Sequence, residues 1–232
     1  FIHSHPDETR ASLAAADRIV GLHRMIAACV PAAERHKLRV IFQSARPLTN
    51  RRPPRNVFRV CVAGHLREEK DPLRTAMAVR DLPADSRIRV DAYGKAHSEE
   101  WAGAARAEAA TNPRYRWHGE IAHGRLRDVY RRSHLLALTS RMEGGANVIS
   151  EAVMADLPVL ASRIPGSVGL LGEDYAGYFP AEDTRALREL LLRAETDARF
   201  YAGLGAACRS LRPLFSEQAE TTGWAELLAE LN

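Results

Sequence analysis

A doubly wound α/β fold on a parallel sheet is predicted by three features of the sequence. From residue 57 onward, short apolar β-type runs alternate with segments of helical length. Two of the runs, Val60-Cys61-Val62-Ala63 and Leu135-Leu136-Ala137-Leu138, are apolar at every position, as strands covered on both faces must be. Strands separated by helices also imply right-handed crossovers, which place helices on both sides of one sheet.

The expected strands are Val57–Ala63, Ile88–Tyr93, Tyr115–Trp117, His134–Thr139 and Pro158–Ala161. Between them, Pro72–Asp81, Ser98–Ala110, Gly124–Arg132 and Gly145–Ala155 can each show one apolar face. Three further helices are expected at Thr184–Ala194, Ala198–Leu211 and Glu217–Leu231. In the last, Trp224, Leu227, Leu228 and Leu231 recur at helical spacing, a stripe that should dock against another surface.

Upstream, residues 1–44 read as a helix at Glu8–Ala16, a strand at Arg18–Leu22, a second helix, and a strand at Leu38–Phe42. Two strands do not make a stable sheet core. These residues are therefore expected to be the C-terminal part of a further Rossmann-like domain whose start lies outside the sequence, the alternative being a small appendage folded onto the main domain. Residues 45–56, ARPLTNRRPPRN, hold three prolines and four arginines and have the composition of a linker. The expected organisation is thus 1–44, linker 45–56, a main domain 57–211, and a C-terminal helix in 212–232 that packs back toward the N-terminal part.

Composition narrows the function. Of the 232 residues, 46% are hydrophobic and 27% charged, which is globular rather than disordered. No run approaches the roughly 18 apolar residues needed to span a bilayer, so no membrane partner is expected. The opening FIHSHPDETR lacks the basic and apolar regions of a secretion signal. The net charge of +4 comes with 30 Arg and only 3 Lys, scattered rather than clustered, so nucleic acid is not an expected partner. Cys29, Cys61 and Cys208 are far apart and odd in number, giving neither a disulfide framework nor metal spacing. A reducing cytoplasm is the expected location.

Several metal and nucleotide motifs fail on spacing. His118-Gly119-Glu120 resembles the start of a zinc deaminase signature, but no Pro-Cys-x-x-Cys follows. His-Glu-x-x-His, the Walker lysine loop and a Gly-x-Gly-x-x-Gly after a strand are all missing, as are aspartates one residue apart. No catalytic metal and no cofactor are expected.

One segment does carry chemistry. Ser140-Arg141-Met142-Glu143-Gly144-Gly145-Ala146-Asn147-Val148-Ile149-Ser150-Glu151-Ala152 follows a buried strand and opens a helix. It thus lies at the carboxyl edge, where open parallel sheets bind ligands. Gly144 and Gly145 remove side chains there, so an anion can approach unpaired N–H groups carrying roughly half a positive charge. Glu143 precedes the helix, and Glu151 lies about two turns inside it on the stripe of Asn147. One carboxylate can meet a ligand at the turn while the other reaches a more distant pair of hydroxyls. Carboxylates suit sugar hydroxyls because they accept charge-assisted hydrogen bonds.

A second segment, Gly64-His65-Leu66-Arg67-Glu68-Glu69-Lys70-Asp71-Pro72, follows the first strand of the main domain. Asp71 and Pro72 read as N-cap and first helical position. His65, Arg67 and Lys70 face the same edge as Glu143 and can neutralise a diphosphate; alone, the loop also reads as solvated charge balanced by Glu68 and Glu69. A third segment, residues 162–172, has three glycines and one proline and reads as a shaped loop at the same edge.

Taken together, these residues resemble the donor domain of retaining GT-B glycosyltransferases of family 4. The resemblance rests on Glu143, seven residues, Glu151, Ala152 and the Pro158-Val159-Leu160-Ala161-Ser162 strand, and it covers about residues 57–211. It implies that Glu143 contacts the donor sugar, that Glu151 binds the ribose, and that the amides of Gly144, Gly145 and Ala146 hold the diphosphate with Lys70. Gly64, His65 and Asn147 line the donor site, and His118 sits at a nucleobase-side turn. Five residues before the lysine, where the family usually carries arginine, this chain has His65; Arg67 is expected to supply the charge, and Arg141 an additional anion contact. Glu143, Lys70 and Arg67 are the expected catalytic residues.

A subgroup is resembled more closely, the selenosugar synthases of bacterial selenoneine biosynthesis. The similarity lies in the loop from Gly64 to Pro72, Asn112-Pro113-Arg114-Tyr115-Arg116-Trp117, the stretch from Ser140 to Glu151, and Gly172-Glu173-Asp174-Tyr175. Ala16-Asp17-Arg18-Ile19-Val20 and Gln43-Ser44 match it too. This implies UDP-N-acetylglucosamine as donor, selenophosphate as acceptor, and a Se-glycosidic product. Two alternatives stay open: a family-4 transferase with an ordinary sugar, lipid or small-molecule acceptor, and a non-catalytic nucleotide-sugar-binding module.

Overall fold

The computed structural model describes residues 6–231, apart from the side chain of His123; residues 1–5 of the N-terminal segment and Asn232 of the last segment lie outside the described residues. Six strands form the main sheet: β3 (Phe58–Ala63), β4 (Ile88–Tyr93), β5 (Tyr115–Trp117), β6 (Leu135–Leu138), β7 (Val159–Ser162) and β8 (Tyr178–Phe179). Their order is β5-β4-β3-β6-β7-β8 and every pairing is parallel. The expected doubly wound sheet is present. Strand order reverses between β3 and β6, and open α/β sheets bind ligands at such a switch point.

Register explains why a crevice opens there. β3 pairs with β4 over its whole length, from Phe58↔Ile88 to Ala63↔Tyr93. With β6 it pairs only at Val60↔Leu135 and Cys61↔Leu136. Beyond Cys61 the two central strands part at their carboxyl ends. Val60, Cys61, Leu135 and Leu136 are all fully buried, as helix cover on both faces requires.

The helices are α2 (Arg74–Val79), α3 (Glu99–Thr111), α4 (His123–Arg132), α5 (Asn147–Met154), α6 (Pro165–Leu171), α7 (Thr184–Thr196), α8 (Ala198–Ser210) and α9 (Glu217–Ala229). Ser98, Asp183, Asp197 and Ser216 cap α3, α7, α8 and α9 by accepting from amides of the first turn. Two local expectations are corrected, and one strand is added to those expected. Asp71 does not cap α2: its backbone is left-handed at φ 44°, its carboxylate binds Arg74 at 2.7 Å, and the helix begins two residues after Pro72. Residues 162–172 are not a loop throughout, because Pro165 starts the short helix α6 after an extended Ile164. And β8 joins the sheet with only two residues, too short a run to show a period.

In the N-terminal part, α1 (Pro6–Ala15) precedes β1 (Ile19–Gly21) and β2 (Leu38–Val40), which pair in parallel as a separate two-stranded sheet. The single helix expected between them is instead two 3₁₀ segments, Arg24–Cys29 and Ala32–Lys37. Pro31 has no N–H to donate and leaves Val30 extended, which breaks the run. Residues 45–56 form no helix or strand, yet they are strapped to the main domain. Ala45 N donates to Phe215 O, Leu48 N donates to Met154 O, and Arg51 donates to the carbonyls of Ser133 and Asp156.

The apolar stripe of α9 is not buried as expected. Leu227 is buried, but Trp224, Leu228 and Leu231 are 40%, 57% and 49% exposed. Polar contacts fasten this helix instead: Glu220 accepts from Ser44 N, and Glu230 pairs with Arg18 and Arg39. All three cysteines are free. No helix among the described residues is long and apolar enough to cross a membrane.

Gly94, just past β4, has φ +147°, and a Cβ there would lie 1.9 Å from the carbonyl oxygen of Gly64. Gly94→Ala is expected to destabilise the chain by about 1–3 kcal/mol, read as a lower urea midpoint. An unchanged midpoint would show that the loop after β3 does not depend on this close approach.

Candidate functional site

The parting of β3 and β6 opens a cavity of about 240 Å³. Gly64, His65, Arg67 and Lys70 line one side, and Ser140, Glu143, Gly145, Ala146 and Asn147 line the other. Two loops that are far apart in sequence thus face each other, as expected. Backbone-directed bonds clasp them: Thr139 Oγ1 donates to Asp71 O at 2.8 Å, and Arg141 N donates to Glu69 O at 2.8 Å.

Glu143 is the best-held charge in this cavity. Its side chain is 5% exposed, and Lys70 Nζ lies 2.6 and 2.7 Å from its two oxygens. Ser140 Oγ donates to Oε1 at 2.6 Å, and Ser162 Oγ, at the end of β7, donates to the Ser140 carbonyl at 2.5 Å. A carboxylate this buried needs a countercharge and donors, and this one has both. Gly166 of α6 backs it so closely that a Cβ there would come 2.5 Å from Glu143 O. The third glycine-bearing segment therefore supports the site from behind.

The turn after Glu143 leads into α5, whose N-cap Ala146 has no side-chain cap. Among the described residues the amides of Gly144, Gly145 and Ala146 donate to no protein acceptor. Uncapped amides at a helix mouth are an anion seat. Lys70 stands opposite, and an ammonium carries three donors, so it can serve a carboxylate and a phosphate together.

Glu151 lies beyond Asn147, in the wall of an adjoining cavity of about 740 Å³ that also includes Asn147. Tyr130 O–H donates to Glu151 Oε2 at 2.8 Å and Asn147 Nδ2 donates to Oε1 at 3.3 Å. Burial and the neighbouring Glu151 charge push the Tyr130 hydroxyl well above its ordinary pKa, so it stays a donor. The two carboxylates thus flank the helix mouth on either side of Asn147.

Three expected residues are placed differently. His118 does not line the cavity: its Nε2 lies 2.7 Å from Asp91 Oδ1 and its ring stacks on Tyr93 at 4.6 Å. Tyr93 is pushed up to about 12, first by burial and then by Asp91. Arg141 does not line the cavity either; it pairs with Glu182 at 2.9 Å and Glu68 at 3.4 Å. Arg67 does line it, but its guanidinium is engaged by Glu69 at 2.7 Å. The sequence placed Ser162 and Gly166 in a loop at this edge without a role, and it gave no sign of Tyr130; their contacts arise only from tertiary structure. Among the described residues no group of three or more His, Cys, Asp or Glu is placed to hold a metal ion.

A parallel six-stranded sheet in this order, with a crevice at its switch point, is a Rossmann-like domain of the kind that GT-B glycosyltransferases contain. Residues 50–210 match the family described as "Glycosyl transferases group 1", and the chain belongs to that family. Among solved structures it is similar to HepE of Anabaena in complex with UDP and glucose, at 15% identity and TM-score 0.83, covering 97% of this chain and 66% of that one. It is also similar to sucrose-phosphate synthase of Thermosynechococcus elongatus, at 19% identity and TM-score 0.82, covering 99% and 62%. A glycosyltransferase of Rickettsia africae matches at 15% identity and TM-score 0.76, covering 92% and 63%. The chain therefore spans less than two thirds of the length of each of these proteins. No curated protein matches it in sequence.

The Lys70–Glu143 pair should be energetically coupled. Lys70→Met and Glu143→Gln, alone and combined, are expected to show a coupling of about 1–3 kcal/mol in denaturant unfolding. Strictly additive losses would mean that the pair does not hold the two loops together.

Proposed function

We propose that this chain is the donor-binding part of a retaining glycosyltransferase that forms a Se-glycosidic bond. It would transfer N-acetylglucosamine from UDP-N-acetylglucosamine to selenophosphate, as in selenoneine biosynthesis. The observation that carries the transferase reading is the buried Glu143 held by Lys70 beside the uncapped amides of Gly144–Ala146. Family membership supports it, as does the solution of HepE, a structural neighbour, with UDP and glucose. The selenium chemistry rests on the subgroup resemblance of the motifs alone.

In this reading the diphosphate lies between Lys70 and the Gly144–Ala146 amides, the ribose diol meets Glu151, and Glu143 orients the sugar. Selenium attacks the anomeric carbon while the bond from that carbon to the β-phosphate oxygen breaks. UDP leaves with the electron pair, and the anomeric configuration is kept. Selenophosphate is already an anion, so no general base is required. The protein contributes positioning and stabilisation of charge on the departing phosphate. Arg67 joins that work once an anion draws it from Glu69. No metal takes part.

Glu143→Ala is expected to lose most turnover while the chain still folds, read as UDP release beside a circular dichroism spectrum. Full activity in a folded variant would remove Glu143 from the mechanism. Lys70→Ala should weaken UDP binding by about 1.5–3 kcal/mol, measured by calorimetry; equal affinity would reject the diphosphate assignment. For the acceptor, the chain is incubated with several UDP-sugars with and without selenophosphate, and products are weighed by mass spectrometry. A selenium-containing sugar supports the proposal. UDP release that ignores selenophosphate points to an ordinary acceptor, and UDP binding without release with any acceptor points to a binding module.

A further inference from the structure

Glu151 is the more remote of the two carboxylates, and it is bonded by a residue of α4, two elements back along the chain. Tyr130 lies in the last turn of α4, 2% exposed, with its ring in the main core. A phenylalanine would fill the same space, so packing alone does not require the hydroxyl. Among the described residues Tyr130 O–H makes one hydrogen bond, the 2.8 Å bond to Glu151 Oε2. A hydroxyl this buried costs free energy unless it is bonded, which ties this tyrosine to that carboxylate.

The other carboxylate oxygen is addressed from the opposite direction. Ser150 Oγ shares its one proton between the Asn147 carbonyl at 2.9 Å and Asn147 Oδ1 at 3.0 Å, and with the amide oxygen on that side Nδ2 faces Glu151 Oε1 at 3.3 Å. Tyr130 and Asn147 thus each give a donor to a different oxygen of Glu151, and an ionised carboxylate has about four acceptor sites in all. A vicinal diol presents two hydroxyls a fixed distance apart and needs both oxygens in one plane. A carboxylate free to rotate meets such a diol only after losing that rotation, whereas a fixed one has already lost it. The bond comes from a rigid core aromatic, not from a mobile surface side chain. Because Tyr130 remains a donor and bears no charge, it orients the carboxylate without neutralising it.

We propose that Tyr130 is a positioning residue that fixes the plane of Glu151 for recognition of the ribose diol. The inference rests on the ribose reading of Glu151 given above and extends it to a residue that touches no substrate.

The test is calorimetric, on the full chain and its Tyr130→Phe variant, with UDP and with 2′,3′-dideoxyuridine diphosphate, which keeps the base and diphosphate but has no diol. Tyr130→Phe should weaken UDP about five- to tenfold, the equivalent of one hydrogen bond, and leave the dideoxy compound unchanged. In a Glu151→Gln background the same substitution should have little further effect on UDP. Equal weakening of both ligands would mean that Tyr130 only supports the fold, and no weakening of either would mean that Glu151 needs no such support; each overturns the proposal. If the unsubstituted chain binds the two ligands equally, the ribose reading of Glu151 fails and takes this inference with it. If it binds neither, the nucleotide reading of the site fails as a whole. Thermal unfolding of Tyr130→Phe accompanies the titrations, and an intact transition is expected.

Discussion

The ammonium of Lys70 and the carboxylate of Glu143 meet across the parting of β3 and β6, and the site depends on that contact. Each belongs to a loop with no regular partner of its own. Lys70 closes a 3₁₀ turn, and Glu143 sits in irregular backbone before α5. Alone, either side chain would be solvated and mobile. Together they put a nearly buried negative charge beside a cavity lined by cations. Low local dielectric makes such a pair strong in attraction and costly to break. The hydroxyls of Ser140 and Thr139 narrow the arrangement further, one holding the carboxylate and the other the opposite backbone.

That pair exists because the sheet stops cooperating at one point. β3 and β4 stay in register to their ends, while β3 and β6 pair only at Val60 and Cys61. Val62 and Ala63 therefore face the cavity with Ala137 and Leu138 instead of a neighbouring strand. Close packing elsewhere makes this local opening sharp. Gly94 lets the turn after β4 come against the carbonyl of Gly64, and Gly145 lets Leu22 of the N-terminal part come against the turn before α5. The residue just past β1 is thus in direct contact with the turn before α5.

How much of this was legible in the sequence depends on the range of the interaction. Continuous apolar runs marked β3 and β6, because burial on both faces leaves no room for alternation. The glycines after Glu143 and the cations after Gly64 marked the two loops, because loops at a carboxyl edge need that chemistry. Local signals failed where tertiary contacts outweighed them. Asp71-Pro72 looked like a helix start, yet Asp71 is held left-handed with its carboxylate on Arg74. The neighbours of His118 were equally out of reach of a local reading, since Asp91 and Tyr93 come from another strand. Arg141 is adjacent in sequence to the site but paired outside it. The helical stripe through Trp224 described a periodicity but not what would cover it.

Hydroxyls are the least legible part of the site, for a physical reason. A charged side chain advertises itself by its cost, since it must be solvated or paired, and the choice of loop narrows where. A buried hydroxyl is nearly neutral in composition and pattern: Tyr130 falls within a helix with one apolar face, and Ser140 and Ser162 each open a loop segment with nothing to mark a role of their own. Yet both carboxylates end in such a group, Glu143 on Ser140 and Glu151 on Tyr130. A hydroxyl can fix the direction of a carboxylate without cancelling its charge, and lysine cannot do that. Glu143 shows both effects at once, since its burial calls for the countercharge of Lys70 while Ser140 sets its direction.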